Sequence, residues 1–276
     1  MPPEAVSDTV AAQSAQSSDP GVVPKSGRNG VRMVIGASRG IGLALVRAQL
    51  ADPAVNRVIA TVRPSSNREH LDQLAGMYGR KLLLQPLDVT RDDSLQTFKH
   101  FLAGRDGGVD LTIHAAGILH GDELTPEKSL SQCNADNLMR LFQVNSIGPL
   151  MVAGALLPAQ HRKRPFTFAV LSAMVGSIGD NRLGGWYGYR ASKTALNQFV
   201  KTLANECRIK HPAASIVALH PGTTDTDLSR PFQKNVAPGK LYSTDLTARR
   251  LLGVLKNVDA GQSGRFLNWD GSAIPW

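Results

Sequence analysis

Tyr189 and Lys193 stand four residues apart in the stretch Tyr187-Gly188-Tyr189-Arg190-Ala191-Ser192-Lys193. That spacing puts a phenol and an ammonium on one face of a helix. A tyrosine of pKa about 10 is mostly protonated at pH 7 and relays protons slowly. An ammonium about 5 Å away, at an effective dielectric of about 20, favours the tyrosinate by roughly 3 kcal/mol, or about two pKa units. The pair is therefore expected to bring the phenol toward a working pH for general acid–base chemistry. Tyr187 is six residues from Lys193 and does not share its face, so Tyr189 is the candidate.

A second group of residues has the chemistry to hold phosphate. The run Gly36-Ala37-Ser38-Arg39-Gly40-Ile41-Gly42 follows the apolar segment VRMVI and precedes a helical pattern. This is GxxxGxG in a strand–turn–helix context, which a dinucleotide site requires. Gly36 suits the tight turn, Gly40 the approach of a cofactor to the backbone, and Gly42 close helix–strand packing. The amides of the following helix N-terminus attract a diphosphate. Gly36, Ser38, Arg39, Gly40 and Ile41 are the candidate contacts. NAD sites place an acid at the end of the second strand; here that strand ends Ala60-Thr61-Val62-Arg63. A 2′-phosphate between Arg39 and Arg63 would be a charge-assisted arrangement, and NADP(H) is the expected cofactor. The alternative is that Arg63 is a solvated loop arginine.

These groups need a scaffold. Apolar runs at 31–36, 57–62, 81–87, 109–116, 166–172, 215–220 and 265–269 alternate with helical patterns at 40–51, 91–103, 136–157, 189–210 and 244–257. Near-continuous apolar strands imply burial on both faces. The alternation predicts an α/β fold, a single Rossmann-type doubly wound sheet of about seven mainly parallel strands with helices on both faces. Residues 1–29, rich in Ser, Ala, Pro and Gln without hydrophobic periodicity, are expected to be a disordered tail, and residues 30–276 the domain.

Composition narrows the function. Hydrophobic residues make up 42% and charged residues 19% of the 276, enough to build a core. Two cysteines, Cys133 and Cys207, make neither a disulfide framework nor a metal cluster, so no metal and a reducing, cytoplasmic setting are expected. The tail has no secretory h-region; its early Glu4 and Asp8 argue against a transit peptide without excluding import. No apolar run approaches 18 residues, so no membrane span is expected. The net charge of +9 fits a phosphate-rich cofactor as well as nucleic acid. The basic residues are scattered apart from Arg162-Lys163-Arg164, so no nucleic-acid partner is expected. Hydrolase and kinase motifs do not occur.

Taken in order, the pieces resemble the short-chain dehydrogenase/reductase family. They are the loop at 36–42, Leu87-Asp88-Val89, Ala115-Ala116-Gly117, Val144-Asn145-Ser146, the YxASK stretch at 189–193 and Pro221-Gly222-Thr223-Thr224-Asp225-Thr226. The resemblance covers residues 31–276. Gly176-Ser177-Ile178-Gly179-Asp180-Asn181, the run at 184–197 and the C-terminal FLNWDGSAIPW look like the C-factor-like and sniffer-like carbonyl reductases.

The resemblance implies a hydride transfer between nicotinamide and a small carbonyl or alcohol substrate, with Tyr189 as general acid/base. It implies that Lys193 holds the nicotinamide ribose, and that Asn145 kinks its helix and holds a water linking Lys193 to solvent. Asp88 and Val89 would contact adenine, Ala115, Ala116 and Gly117 would pass the ribose, and Pro221, Gly222, Thr224 and Thr226 would hold the carboxamide. A homodimer or homotetramer through 136–157 and 189–210 is implied too.

Three departures stand out. Ala115 replaces the family's Asn, Ile35 its usual threonine, and the serine pair after the fifth strand reads Ser172-Ala173, with alanine in the catalytic slot. Ser172 is the expected substitute hydroxyl and Ser177 the alternative; a missing oxyanion donor costs about 10²–10³ in rate. The competing function is an NADP(H)-binding signalling or sensor protein with vestigial catalysis. Asp225 and Asp227 read as loop carboxylates or helix caps, and 228–243 as a flap over the substrate.

Overall fold

The computed structural model describes residues 30–105, 107–121 and 123–276. The expected tail, 1–29, lies outside them. Seven strands form one wholly parallel sheet: β1 (Val31–Ile35), β2 (Arg57–Val62), β3 (Leu82–Pro86), β4 (Leu111–His114), β5 (Phe166–Leu171), β6 (Ala214–His220) and β7 (Phe266–Asn268). Their order is β3-β2-β1-β4-β5-β6-β7. The order reverses between β1 and β4, and the loops leaving the carboxyl ends of these two strands diverge into a crevice, the place where doubly wound sheets bind ligands.

Helices cover both faces, as the unbroken apolar strands require. On one face α1 (Gly40–Leu50), α2 (Glu69–Tyr78) and α7 (Thr244–Lys256) pack Leu45, Leu71 and Leu251 against Val34, Val58 and Ile113. On the other, α3 (Asp92–Ala103), α5 (Gly148–Leu156) and α6 (Tyr187–Lys210) pack Phe98, Val152 and Val200 against Met33 and Phe168. The helix α2 goes beyond the sequence expectation. It buries only Leu71 and Leu74, too short a stripe to stand out as a period.

The expected helix over 136–157 is broken in an informative way. It runs as α4 (Ala135–Phe142), a π turn at Gln143–Ile147, and then α5. A π turn inserts one extra residue and is found mostly at functional sites; here it holds Asn145. Residues 135–159 form 25 continuous helical residues that are long and apolar enough to cross a membrane by length and composition alone. The expectation that no such segment exists is thereby corrected; half of its most apolar stretch is buried inside the fold.

Candidate active site

A cleft of about 240 Å³ runs along the carboxyl edge, from Arg39, Arg63 and Ser66 at one end to Tyr189, Lys193 and Pro221 at the other. Its first half is built by the glycine loop. Gly36 has φ +80°, and a Cβ there would lie 2.7 Å from the Ala116 amide nitrogen. A Cβ on Gly42 would lie 2.1 Å from the Gly36 carbonyl oxygen. Only glycine lets the loop fold back this tightly on β4 and on itself. The helix that follows has no side-chain cap and no acid in its first turn, so its leading amides and dipole are free for an anion. Gly36, Ser38, Arg39, Gly40, Ile41, Arg63, Asp88, Val89, Ala115, Ala116 and Gly117 all line the cleft as expected. A dinucleotide bound here would find the α1 amides for its diphosphate and the exposed Arg39 and Arg63 for a further phosphate.

Asp227 was missed as a site residue. It is neither a cap nor an idle loop carboxylate: it lines the cleft and pairs with Arg39 (3.2 Å) and Arg230 (2.9 Å). Asp225 instead accepts from Gln233 Nε2. Pro221 and Thr226 line the cleft. Thr224 is buried and shares a hydroxyl–hydroxyl bond of 2.9 Å with Thr247, while Gly222 packs against the rings of Tyr242 and Trp269.

The Tyr189–Lys193 end is braced by Asn145. It is wholly buried, its Oδ1 accepts from the Ile118 amide (2.8 Å), and its Nδ2 donates to the Ile118 carbonyl (2.9 Å) and to Ser192 Oγ (3.1 Å). Ser192 Oγ in turn donates to the Tyr189 carbonyl (2.9 Å). The π turn thus ties the loop after β4 to the first turns of α6. Asn145 itself does not line the cleft.

Lys193 and Tyr189 share a helix face, but their electrostatics differ from the sequence expectation. The ammonium donates to the Leu171 carbonyl (2.9 Å) and stands 5.8 Å from the centre of the Tyr189 ring. Both groups are buried. Desolvation pushes the phenol well above the usual tyrosine range and brings the ammonium down to about 8. Burial therefore outweighs the attraction assumed from spacing alone. His114, at the end of β4, is held down to about 3 by burial and by Lys193. His220 braces the neighbouring loop, its Nδ1 accepting from the Met174 amide (3.2 Å).

Ser172 and Ala173 follow the end of β5. Ser172 lines the cleft, but its buried hydroxyl donates to Asn197 Oδ1 at 2.7 Å, so its proton is already committed. Ser177 is buried outside the cleft and accepts from the Asp180 amide. Ala173, pointing the other way, packs in an apolar cluster with Tyr189, Leu124 and Trp186. Ala173 thus brings a methyl group to the cluster that holds Tyr189. Leu228 and Phe232 of the predicted flap, with a 3₁₀ turn at Arg230–Asn235, join the same cluster.

A doubly wound sheet with a glycine-loop groove leading to a buried Tyr/Lys pair defines a nucleotide-dependent oxidoreductase scaffold. The short chain dehydrogenase family model matches residues 31–237, and the chain belongs to that family. It is similar to the C-signal of Myxococcus xanthus, 32% identical over 171 residues that cover 62% of this chain and 94% of the relative. Among solved structures it resembles the NADPH-bound carbonyl reductase from chicken fatty liver (30% identical, TM-score 0.79, 90% of this chain and 100% of the other). It also resembles the carbonyl reductase Sniffer of D. melanogaster (25%, TM-score 0.77, 90% and 100%).

Proposed function

We propose that this chain is an NADP(H)-dependent carbonyl reductase, moving a hydride between nicotinamide and a carbonyl or alcohol carbon with Tyr189 as general acid/base. The observation that carries it is the single cleft that has two guanidiniums, Arg39 and Arg63, at one end and the buried Tyr189–Lys193 pair at the other. The guanidiniums suit a 2′-phosphate, and relatives with NADP(H) bound support the same cofactor. When bound, the cofactor supplies or accepts the hydride. Lys193 has donors left beyond Leu171 for ribose hydroxyls. Tyr189 gives its phenolic proton to the carbonyl oxygen in reduction and takes it back in oxidation. Burial keeps the phenol protonated, as a proton donor must be, while the cationic nicotinamide of the oxidised cofactor would draw it down for the reverse reaction.

The test follows NADPH absorbance with aldehydes, ketones and quinones. Turnover that favours NADPH over NADH is expected. Tyr189→Phe is expected to lose 10²–10⁴-fold in kcat while still binding NADPH. Replacing Arg39 and Arg63 by alanine should erase the cofactor preference. A second reading, a cofactor-binding signalling protein, is favoured by Ala173 at the serine position. Tight NADPH binding without turnover on the whole panel would select it. A homodimer or homotetramer remains part of the proposal: Met139, Ile147 and Met151 are exposed along α4–α5, and light scattering reads the mass.

A further inference from the structure

Trp186 has φ +51° and ψ +45°, and among the described residues it is the one non-glycine with positive φ. A bulky side chain in the left-handed region is strained and persists only where its surroundings over-determine it. Here Glu127 does so. This buried residue takes the Trp186 amide on its backbone carbonyl and the Gly188 amide on Oε2 (3.2 Å), supplying the cap that α6 lacks. The clamp aims the half-buried indole at two rings. It meets Tyr189 edge-on at 6.1 Å between centroids and Phe232 at 4.8 Å.

The indole lines a second cavity, not the cofactor cleft. This outer cavity, about 550 Å³, is lined by His120, Leu124, Pro126 and Lys128 on one side and by Pro231 and Asn235 of the 230–235 turn on the other. Trp186 thus touches the Tyr189 ring and, with Phe232, lines the outer cavity.

We propose that Trp186 is a specificity-determining residue. With Phe232 it forms an aromatic partition that admits a carbonyl to Tyr189 only on a slender, unbranched end, while the bulk of the substrate lodges in the outer cavity. The favoured class is then terminal aldehydes and methyl ketones carrying a large apolar body, and carbonyls flanked by two bulky groups are rejected. This rests on the carbonyl-reductase reading. The backbone strain supports it: a conformation held against its preference serves to place the ring, since a glycine would adopt the same backbone freely.

Trp186→Gly is therefore the informative variant, because it keeps the backbone and removes the partition. With NADPH, kcat/KM is measured for a long-chain aldehyde and for a diaryl ketone. The ratio of ketone to aldehyde is expected to rise at least tenfold over the parent, and an unchanged ratio overturns the proposal. Phe232→Ala, with a rise of threefold or more, gives the same reading if the glycine variant does not fold. Should neither protein turn over any carbonyl while NADPH still binds, the reaction reading fails by itself. Calorimetric Kd values of the two carbonyls for the NADPH-loaded protein then decide the partition by the same ratio.

Discussion

A buried ammonium beside a buried phenol makes the cofactor-free protein less stable than its packing allows. Lys193 has a folded pKa of about 8 against an ordinary 10.5. Its burial therefore opposes folding most strongly below pH 8, where it is protonated in both states, and ceases to matter above about pH 10.5. Lys193→Met should raise unfolding free energy by about 1–3 kcal/mol at pH 7, and the gain should fade between pH 8 and 10.5. Urea melts across that range check the sign, and activity should be lost at every pH. A second pair of variants addresses the oxyanion. Ser172→Ala leaves Asn197 Oδ1 without its hydroxyl donor, so it should cost about 1–3 kcal/mol of stability and less than tenfold in kcat. Ala173→Ser places a hydroxyl in the cluster with Tyr189 and should raise kcat by about tenfold or more. A large kcat loss in Ser172→Ala would restore that serine as the donor. The Tyr/Lys pair was legible from spacing, and the alanine at 173 from motif order. The partner of the Ser172 hydroxyl was not, because Asn197 lies 25 residues away and meets Ser172 only through the packing of α6 on the turn after β5.

At the scale of elements, the π turn at Gln143–Ile147 is the part that converts sequence into site geometry. Asn145 spends its amide on Ile118 and Ser192, so that the loop after β4 and the start of α6 move together. Asn145→Ala leaves the Ile118 amide and carbonyl without these partners. It is expected to destabilise by about 2–4 kcal/mol and to lower kcat more than it raises KM, read by thermal melts alongside steady-state kinetics. The long apolar pattern over 136–157 announced one helix, and no periodicity argument distinguishes a regular turn from one with an extra residue. The insertion is decided by what Asn145 must reach. In the same way, the Pro221–Thr226 motif announced a loop at the carboxyl edge, but the partners Thr247, Tyr242 and Trp269 determined which of its residues face inward.

For the whole molecule, the groove crosses the switch point of the sheet, so a bound cofactor would meet residues at the β1, β2, β4, β5 and β6 ends at once. NADPH at 100 times its Kd should add about 2.7 kcal/mol, or roughly 5–10 °C in Tm for a domain of this size. NADH at the same concentration should add less, and equal shifts would remove the 2′-phosphate role of Arg39 and Arg63. The alternation of apolar runs and helical stretches was enough to determine a parallel, two-sided sheet, and the glycine spacing was enough to place a phosphate loop after its first strand. Both follow from short-range rules: side-chain period and the conformations open to glycine. Tertiary structure alone decided the desolvation of the Tyr189–Lys193 pair, the engagement of Ser172 by Asn197, the bridge of Asp227 to Arg39, and the strained Trp186 at the mouth of the outer cavity. Each of these depends on burial or on partners remote in the chain, and neither is encoded in any local stretch of residues.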